Sequence, residues 1–402
     1  MILRTSRYII RIPKIKFLVE ASINKMVARR IFLCISVTFC HMSFGDDINI
    51  SFLDSLEVSG RIHIDGDNFN GVFREQSNTS VSKLELRRAR LAFDFGFSDN
   101  WSSKVQIAVN ENNKSIVIKD MFVEYKGWDF AEIKIGKSKE PFGLERLTSS
   151  KNTLFIERSI TSNIFSLGRS QGLNLTANGD NHTWSGGIYK VEKGPKIRSD
   201  GGLAVTQRFT YNPFMIENGF SHLGVSFSYR QLEGSDYELK SNGGVFTSYN
   251  LLNTPLIATD SLKQWGGELA VGVDALSFQA EYQTQDIKAL DRLMDLEYES
   301  FYSQISYFLT NDQRRYRDGK FVSVKPTSSS GAVELSARYA MVKNNATWDF
   351  DEIQDISQAT IGLNFYINKD FKLMLNLLDI EADYTNSKES GKAASIRLQF
   401  LL

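Results

Sequence analysis

The feature that most limits what this chain can become is an alternation of apolar and polar residues with a period of two. It recurs in segments of about ten residues. In HLGVSFSYR, Leu223, Val225, Phe227 and Tyr229 share one face, while His222, Ser226, Ser228 and Arg230 take the other. In LSFQAEYQ, Leu276, Phe278, Ala280 and Tyr282 oppose Ser277, Gln279, Glu281 and Gln283. QATIGLNFYI and the closing ASIRLQFLL repeat the pattern, with Ile361, Leu363 and Phe365, then Ile396, Leu398 and Phe400, on the apolar side. Side chains of a strand point alternately to its two faces, so each segment reads as a strand with one greasy and one wet surface.

Sixteen such strands can be placed, near 57–66, 83–97, 101–111, 116–128, 131–140, 171–178, 183–191, 203–212, 221–232, 264–274, 276–287, 297–309, 332–343, 358–367, 370–383 and 393–402. The connections alternate in length. SDN at 98–100, DNH at 180–182 and NKD at 368–370 are tight, whereas 67–82, 141–170 and 233–263 are long. With both termini in the periplasm, the tight turns fall there and the long loops face outward. The link at 310–331 breaks the rule. It stands where a short turn belongs, yet it is long and basic (Arg314, Arg315, Arg317), and the strand count there is open by one hairpin.

A soluble β-sandwich or propeller could also alternate, burying its apolar faces between packed sheets, but sixteen one-faced strands behind an export-like N-terminus favour another solution. They suit a closed transmembrane antiparallel β-barrel of about 16 strands, with lipid outside, water inside and no free edges. Trp101, Trp128 and Trp184 sit beside short turns, where an interfacial aromatic girdle belongs.

The N-terminal 45 residues read as a targeting segment. From Met26, MVARRIFLCISVTFCHMSFG has a basic start, an apolar run from Ile31 to Cys40, and small residues Ser43 and Gly45 at a cleavage-like spacing. The run is too short to span a bilayer as a helix. Met26 is the expected true start, residues 46–56 a short linker, and 57–402 a single barrel. Segment 1–45 holds eight of the 47 Lys and Arg but one of the 47 Asp and Glu, so the rest carries a net charge of −7. Nucleic-acid binding is not indicated. Both cysteines, Cys34 and Cys40, lie in that segment, which leaves the barrel without thiol chemistry.

The stretch LRRARLAFDFGF, Leu86 to Phe97, places three arginines within a strand. Leu91, Phe93, Phe95 and Phe97 fix its lipid face, so Arg88 and Arg90 point inward. Arg87 has the wrong parity, and Leu84 and Leu86 are also out of phase. An arginine facing lipid at the bilayer midplane costs on the order of 2–4 kcal/mol. Arg87 must therefore lie near the rim, snorkel, pack against another subunit or be turned inward by a bulge near residues 84–89. By the same parity Arg61, Arg208, Arg230, Arg338 and Arg397 are inward, as are Glu57, Asp65, Asp94, Asp120, Glu124, Glu268, Glu281 and Glu334. Charge-lined constrictions select ions by the sign of the local field. The plainer reading is that these charges pair across strands and hold a wet barrel open. The mixed lumen and the net charge of −7 argue against assuming strong anion selectivity.

GKSKEPFGLERLTSSKNTLFIERSI, Gly136 to Ile160, resembles the family of phosphate-selective porins O and P. GRIHIDGDNF at 60–69, LRRARLAFDFGFSDNW at 86–101, VIKDMFVEYKG at 117–127 and SLGRSQGLNL at 166–175 strengthen the likeness, which covers the N-terminal third of the exported chain. The resemblance implies an outer-membrane barrel of 16 strands, a homotrimer, with the third long loop, about 141–170, folded into the pore. Basic residues at matching motif positions would form the narrow zone: Arg61, Arg87 and Arg88 from strands, with Lys139, Arg146, Lys151, Arg158 and Arg169 in or beside the loop. Arg90 and Asp120 join them by inward parity. The plainer role for EPFGLE and TSSK is to fix the loop's own fold, with Pro141 and Gly143 setting its entry. The dense arginine ladder of phosphate-specific members is not evident, and the chain ends on Leu402 rather than an aromatic.

The leading expectation is therefore a bacterial outer-membrane porin passing small anionic, phosphate-like solutes, with membrane lipid and lipopolysaccharide around it. The alternatives are a general non-specific porin, or a plugged structural or adhesive barrel. An outer-membrane hydrolase is disfavoured, because His63 and His222 have no serine partner motif. No metal site or cofactor is expected, since no His/Asp/Glu cluster has ligand spacing.

Overall fold

The computed structural model describes residues 53–74, 80–110, 114–199, 201–214, 216–345 and 353–402. The targeting segment 1–45 lies outside them. Sixteen antiparallel strands close into one barrel. They are β1 (Ser55–Phe69), β2 (Val81–Gly96), β3 (Trp101–Val109), β4 (Ile116–Tyr125), β5 (Glu132–Lys139), β6 (Arg169–Asn178), β7 (His182–Lys190) and β8 (Leu203–Tyr211), then β9 (Gly219–Tyr237), β10 (Ile257–Val273), β11 (Leu276–Ala289), β12 (Leu296–Phe308), β13 (Ala332–Asn344), β14 (Ile353–Tyr366), β15 (Phe371–Tyr384) and β16 (Lys388–Leu401). Each pairs with its sequence neighbour, and β16 returns to β1, with Arg61 opposite Leu401 and Phe69 opposite Ala393. The final residue completes the seam: Leu402 N donates to Gly60 O at 3.1 Å, and Gly60 N to Leu402 O at 3.2 Å.

The wall reverses the order of a soluble core. Val225, Ile361 and Leu377 are about 60% exposed on the outer face (58%, 63% and 61%), while Ser226, Thr360 and Asn376 beside them are buried inside. Trp101, Trp128 and Trp184 are exposed next to the short turns, and Trp101, Tyr125, Trp128 and Phe130 form one aromatic chain there, with successive ring centroids 4.7, 5.4 and 5.6 Å apart. Among the described residues no helix is long and apolar enough to cross a membrane.

One expectation about the connections needs correction, and one open point is resolved. Loop 238–256, between β9 and β10, does not simply face outward. It folds back into the mouth, where Leu239, Val245, Leu251 and Leu252 are buried against Phe73, Leu378 and Ile380. The link between β12 and β13 is a genuine long turn, and no barrel strand is miscounted there. It carries a separate two-stranded hairpin, Arg315–Arg317 with Lys320–Val322. The long third loop, between Lys139 and Arg169, enters the lumen and contains two short helices, α1 (Leu144–Leu147) and α2 (Ile160–Ile164). These inserts pack mainly against the wall from β9 to β16.

Candidate functional site

Open space remains on the opposite side, against β1 to β8. A cavity of about 820 Å³ lies there, roofed by the third loop and reaching down to Lys126 at the short-turn end. Its described lining holds thirteen Lys and Arg but only six Asp and Glu. The net charge of −7 for the exported chain therefore misstates the local field. The lining thus holds seven more cations than acids, and two of its cations, Arg88 and Arg208, are met from behind by Glu157 and Glu268.

The bulge expected near residues 84–89 exists. His63 pairs with Arg88 and Ile64 with Leu86, so Arg87 is the extra residue of β2. Leu84 and Leu86 above it, and Leu91 below it, all stay on the outer face. Arg87 turns inward, yet it is not part of the cavity lining. Its guanidinium forks onto Glu157 of the third loop, Nε to Oε1 at 2.8 Å and Nη2 to Oε2 at 3.1 Å, with its back on the Phe246 ring at 4.0 Å. Arg88 lies 3.6 Å from Glu157, and Arg397 donates to it at 2.8 Å while also forking onto Asp65. Glu157 thus ties the loop to β1, β2 and β16. Burial alone would raise its pKa, but Arg87, Arg88 and Arg397 overcome that and hold the carboxyl well below its usual range.

The remaining candidates divide by the kind of partner that holds them. Arg61 donates to the hydroxyls of Ser149 and Ser150 at 2.8 and 3.1 Å. Lys139 donates to the carbonyls of Arg146 and Leu147 at 2.8 and 3.2 Å. Arg146 forks onto the Leu167 carbonyl at 3.0 and 2.8 Å, and Arg158 donates to the carbonyls of Glu145 and Thr148 at 2.9 and 2.8 Å. Hydroxyls and carbonyls fix the direction of these groups without cancelling their charge, whereas Arg158 is also offset by Glu145 and Glu157. Lys151 also faces the cavity; burial, then Arg61 and Lys104, lower its pKa. Arg90 lines the same space. Arg169 is neutralised by Asp120, Nε to Oδ1 at 2.6 Å.

The TSSK motif therefore does two things: it shapes the loop and orients Arg61. The loop is further anchored by wall groups. Glu281 accepts from the amides of Leu144 and Glu145 at 3.0 and 2.7 Å, capping the first turn of α1. Asn364 and Lys372 donate to the carbonyls of Leu154 and Thr153 at 2.8 and 3.1 Å. Gly143, with φ of 75°, sets the entry turn.

The plainer pairing role holds for other lumen charges, inside the lining as well as outside it: Lys104 pairs with Asp94 at 2.7 Å, and Lys126 and Lys134 both pair with Glu124 at 3.1 Å. Arg208 forks onto Glu268, Arg230 meets Glu140, and Arg338 lies 3.5 Å from Glu145. His222 is committed to Tyr316 and Glu268, at 2.5 and 3.0 Å. Sequence reading missed Lys104, Lys126, Lys134 and Lys320 in the cavity lining. Lys104 and Lys134 carried an available signal, since both fall on inward parity. Lys126 and Lys320 lie in connections, where parity says nothing.

A family model described as "Phosphate-selective porin O and P" matches residues 56–402. Porin O of Pseudomonas aeruginosa is 25% identical over 391 residues, covering 86% of this chain and 88% of that protein. The outer membrane channel DcaP of Acinetobacter baumannii shares the fold with a TM-score of 0.58 at 12% identity, covering 87% of this chain and 97% of its own. An anion-selective porin from Comamonas acidovorans does so at 0.55 and 13%, covering 86% and 99%.

Proposed function

This chain belongs to the phosphate-selective porin O and P family, as a 16-stranded barrel of the bacterial outer membrane, and from that premise we propose that it passes small oxyanions, phosphate among them, through the cavity beneath the third loop. One observation carries the reading: Arg61, Lys139 and Arg146 are held by neutral hydroxyls and carbonyls, so their charge remains available to a solute. A guanidinium fork matches the oxygens of phosphate or carboxylate, and a partly dehydrated site strengthens the attraction. Arg88, Arg90 and Lys151 add to the field, Arg87 acts through the loop, and the Arg169–Asp120 pair sets the edge of the site. Diffusion through such a field needs no covalent chemistry and no cofactor.

The same reading places the short turns and both ends of the barrel in the periplasm. It takes residues 1–45 as an export signal, which N-terminal sequencing of the membrane form tests. The homotrimer implied by the family, seated in lipid and lipopolysaccharide, is tested by cross-linking in the outer membrane.

The function itself is tested by reversal potential in a KCl gradient across a planar bilayer, repeated with phosphate. The expected result is chloride preference and a chloride current blocked by phosphate, with block weakened by Arg61→Ala. Cation preference, or anion preference without block, would replace the proposal with a general porin.

A further inference from the structure

The connection between β7 and β8 lies at the loop end of the barrel, and part of it runs as an added strand along the top of β9. Ile197 bridges to Tyr237, Arg198 N donates to Asp236 O at 3.0 Å, and Glu238 N donates to Lys196 O at 2.9 Å. Ser199 adds two bonds to the Ser235 hydroxyl, from its amide at 3.2 Å and from its own hydroxyl at 2.6 Å. Ile197 packs against the apolar cluster, while Arg198 and Lys240 share Glu238. The backbone of Lys196 is therefore held from both sides.

Its side chain ends in the third loop. The Lys196 ammonium donates to the carbonyls of Asn163, at 3.1 Å, and Ile164. These are the last two residues of α2. Carbonyls at a helix end lack intrahelical donors, and a cation satisfies both their hydrogen bonding and their partial negative charge. The next residue is held in the same way, by Gln264 Nε2 donating to the Phe165 carbonyl at 3.1 Å. Two residues further on, the Leu167 carbonyl takes the Nε and Nη2 of Arg146. Segment 163–167 is thus a row of carbonyls, with Lys196 and Gln264 at one end and a solute-facing arginine at the other. Burial of Ile164 and Phe165 fixes how deep the segment sits. Apolar packing has no direction, however, so the way each peptide plane points is left to the donors. An apolar side chain in place of Lys196 would fill the space and avoid the cost of desolvating an ammonium. Only the lysine also turns the carbonyls.

Resting on the anion-channel reading above, we propose that Lys196 is a positioning residue for solute passage: it latches the connection between β7 and β8 onto the end of α2, and so fixes the segment whose Leu167 carbonyl aims Arg146 into the cavity. The anion affinity of the third loop then depends on a residue outside the cavity lining.

The full-length protein is reconstituted in planar bilayers, and block of the chloride current by inorganic phosphate is measured for wild type, Lys196→Met, Lys196→Arg, Arg146→Met and the double variant Lys196→Met with Arg146→Met. Heat-modifiable migration confirms a folded barrel in each. Lys196→Met is expected to raise the half-blocking phosphate concentration by roughly three- to tenfold, the range of coupling between residues that share one network. Lys196→Arg, which keeps a cationic donor for both carbonyls, should stay within about twofold of wild type. Arg146→Met should weaken block at least as much as Lys196→Met, and the double variant should be no weaker than Arg146→Met alone, because Lys196 acts through that arginine. A loop that had merely loosened would add its effect to that of Arg146→Met. Additive losses in the double variant, or unchanged block in Lys196→Met, overturn the role of Lys196 and leave the anion channel standing. Equal losses in Lys196→Arg and Lys196→Met overturn it as well, since fit and not the donated bonds would then matter. A wild type that phosphate does not block overturns the underlying reading and this inference together.

Discussion

Glu157 shows how one carboxylate can sort several arginines. It absorbs Arg87 through two hydrogen bonds, lies near Arg88, and shares Arg397 with Asp65. Arg61, only two residues from His63 on the same inner face of β1, meets serine hydroxyls instead. The first set fastens the loop and the second faces the solute. Removing the carboxylate leaves buried guanidinium groups without their counter-charge, a loss on the order of 3–5 kcal/mol. Glu157→Gln should therefore lower resistance to urea unfolding by about that amount, and should make single-channel current noisier as the loop loosens. Urea titration of folded barrel by gel migration measures the first and bilayer recording the second. The pH sign follows from the depressed pKa. A carboxyl depressed on folding contributes stability that is fully present above its unfolded pKa, about 4.3, and is lost as pH falls through the lower folded value. The wild-type clamp should thus persist through pH 5 to 8, and the stability gap between wild type and Glu157→Gln should close only in stronger acid. A gap that already closed at neutral pH would remove the ionised clamp.

At the scale of elements, the bulge in β2 can be tested by deletion. Arg87 is the extra residue between Leu86 and Arg88, so removing it leaves Leu84, Leu86 and Ala89 in unbroken outward phase. Deletion of Arg87 should give a barrel that still assembles, weakened to about the same degree as Arg87→Ala, roughly 1.5–3 kcal/mol for a lost charge-assisted hydrogen bond. If the bulge instead supplies twist needed for closure, the deletion will fail to assemble while Arg87→Ala succeeds. Parity of this kind made all sixteen strands legible in the sequence, because a lipid-facing side chain is chosen by its solvent. It also located Arg61, Arg88 and Arg90. It failed where the inner face is dry. Leu378 and Ile380 point inward on β15 because loop 238–256 covers them, and a residue's type does not reveal which distant loop will cover it. It failed again for the clamp, since Arg397 and Asp65 are 332 residues apart and pair only once the ends of the chain meet. The basic link at 310–331 stood out in the sequence, but its inward course depends on aromatic contacts with Phe220 and Leu144 that no local pattern announces.

For the molecule as a whole, two charge balances have opposite sign. The exported chain sums to −7, while the described cavity lining carries seven more cations than acids. Which one governs permeation is a question of distance and screening. Of the acids outside the cavity, buried ones such as Asp65, Glu157 and Glu268 are spent on arginines, and the exposed ones stand in water, where ions screen charges separated by more than about 8 Å at physiological strength. The lining cations face a narrow space with low-dielectric walls, which concentrates their field. Passing ions should therefore respond to the lining. As KCl is lowered from about 1 M, where the Debye length is about 3 Å, to about 0.01 M, where it is about 30 Å, the lining field extends across the whole cavity. The chloride-to-potassium permeability ratio of the wild type should rise steadily over that series, measured by reversal potential at a fixed concentration ratio. A ratio that fell, and crossed to potassium preference at the lowest salt, would mean that the long-range field of the whole chain outweighs the cavity. In that case the cations beneath the third loop would be fastenings of the fold, and the solute would be chosen by pore width alone.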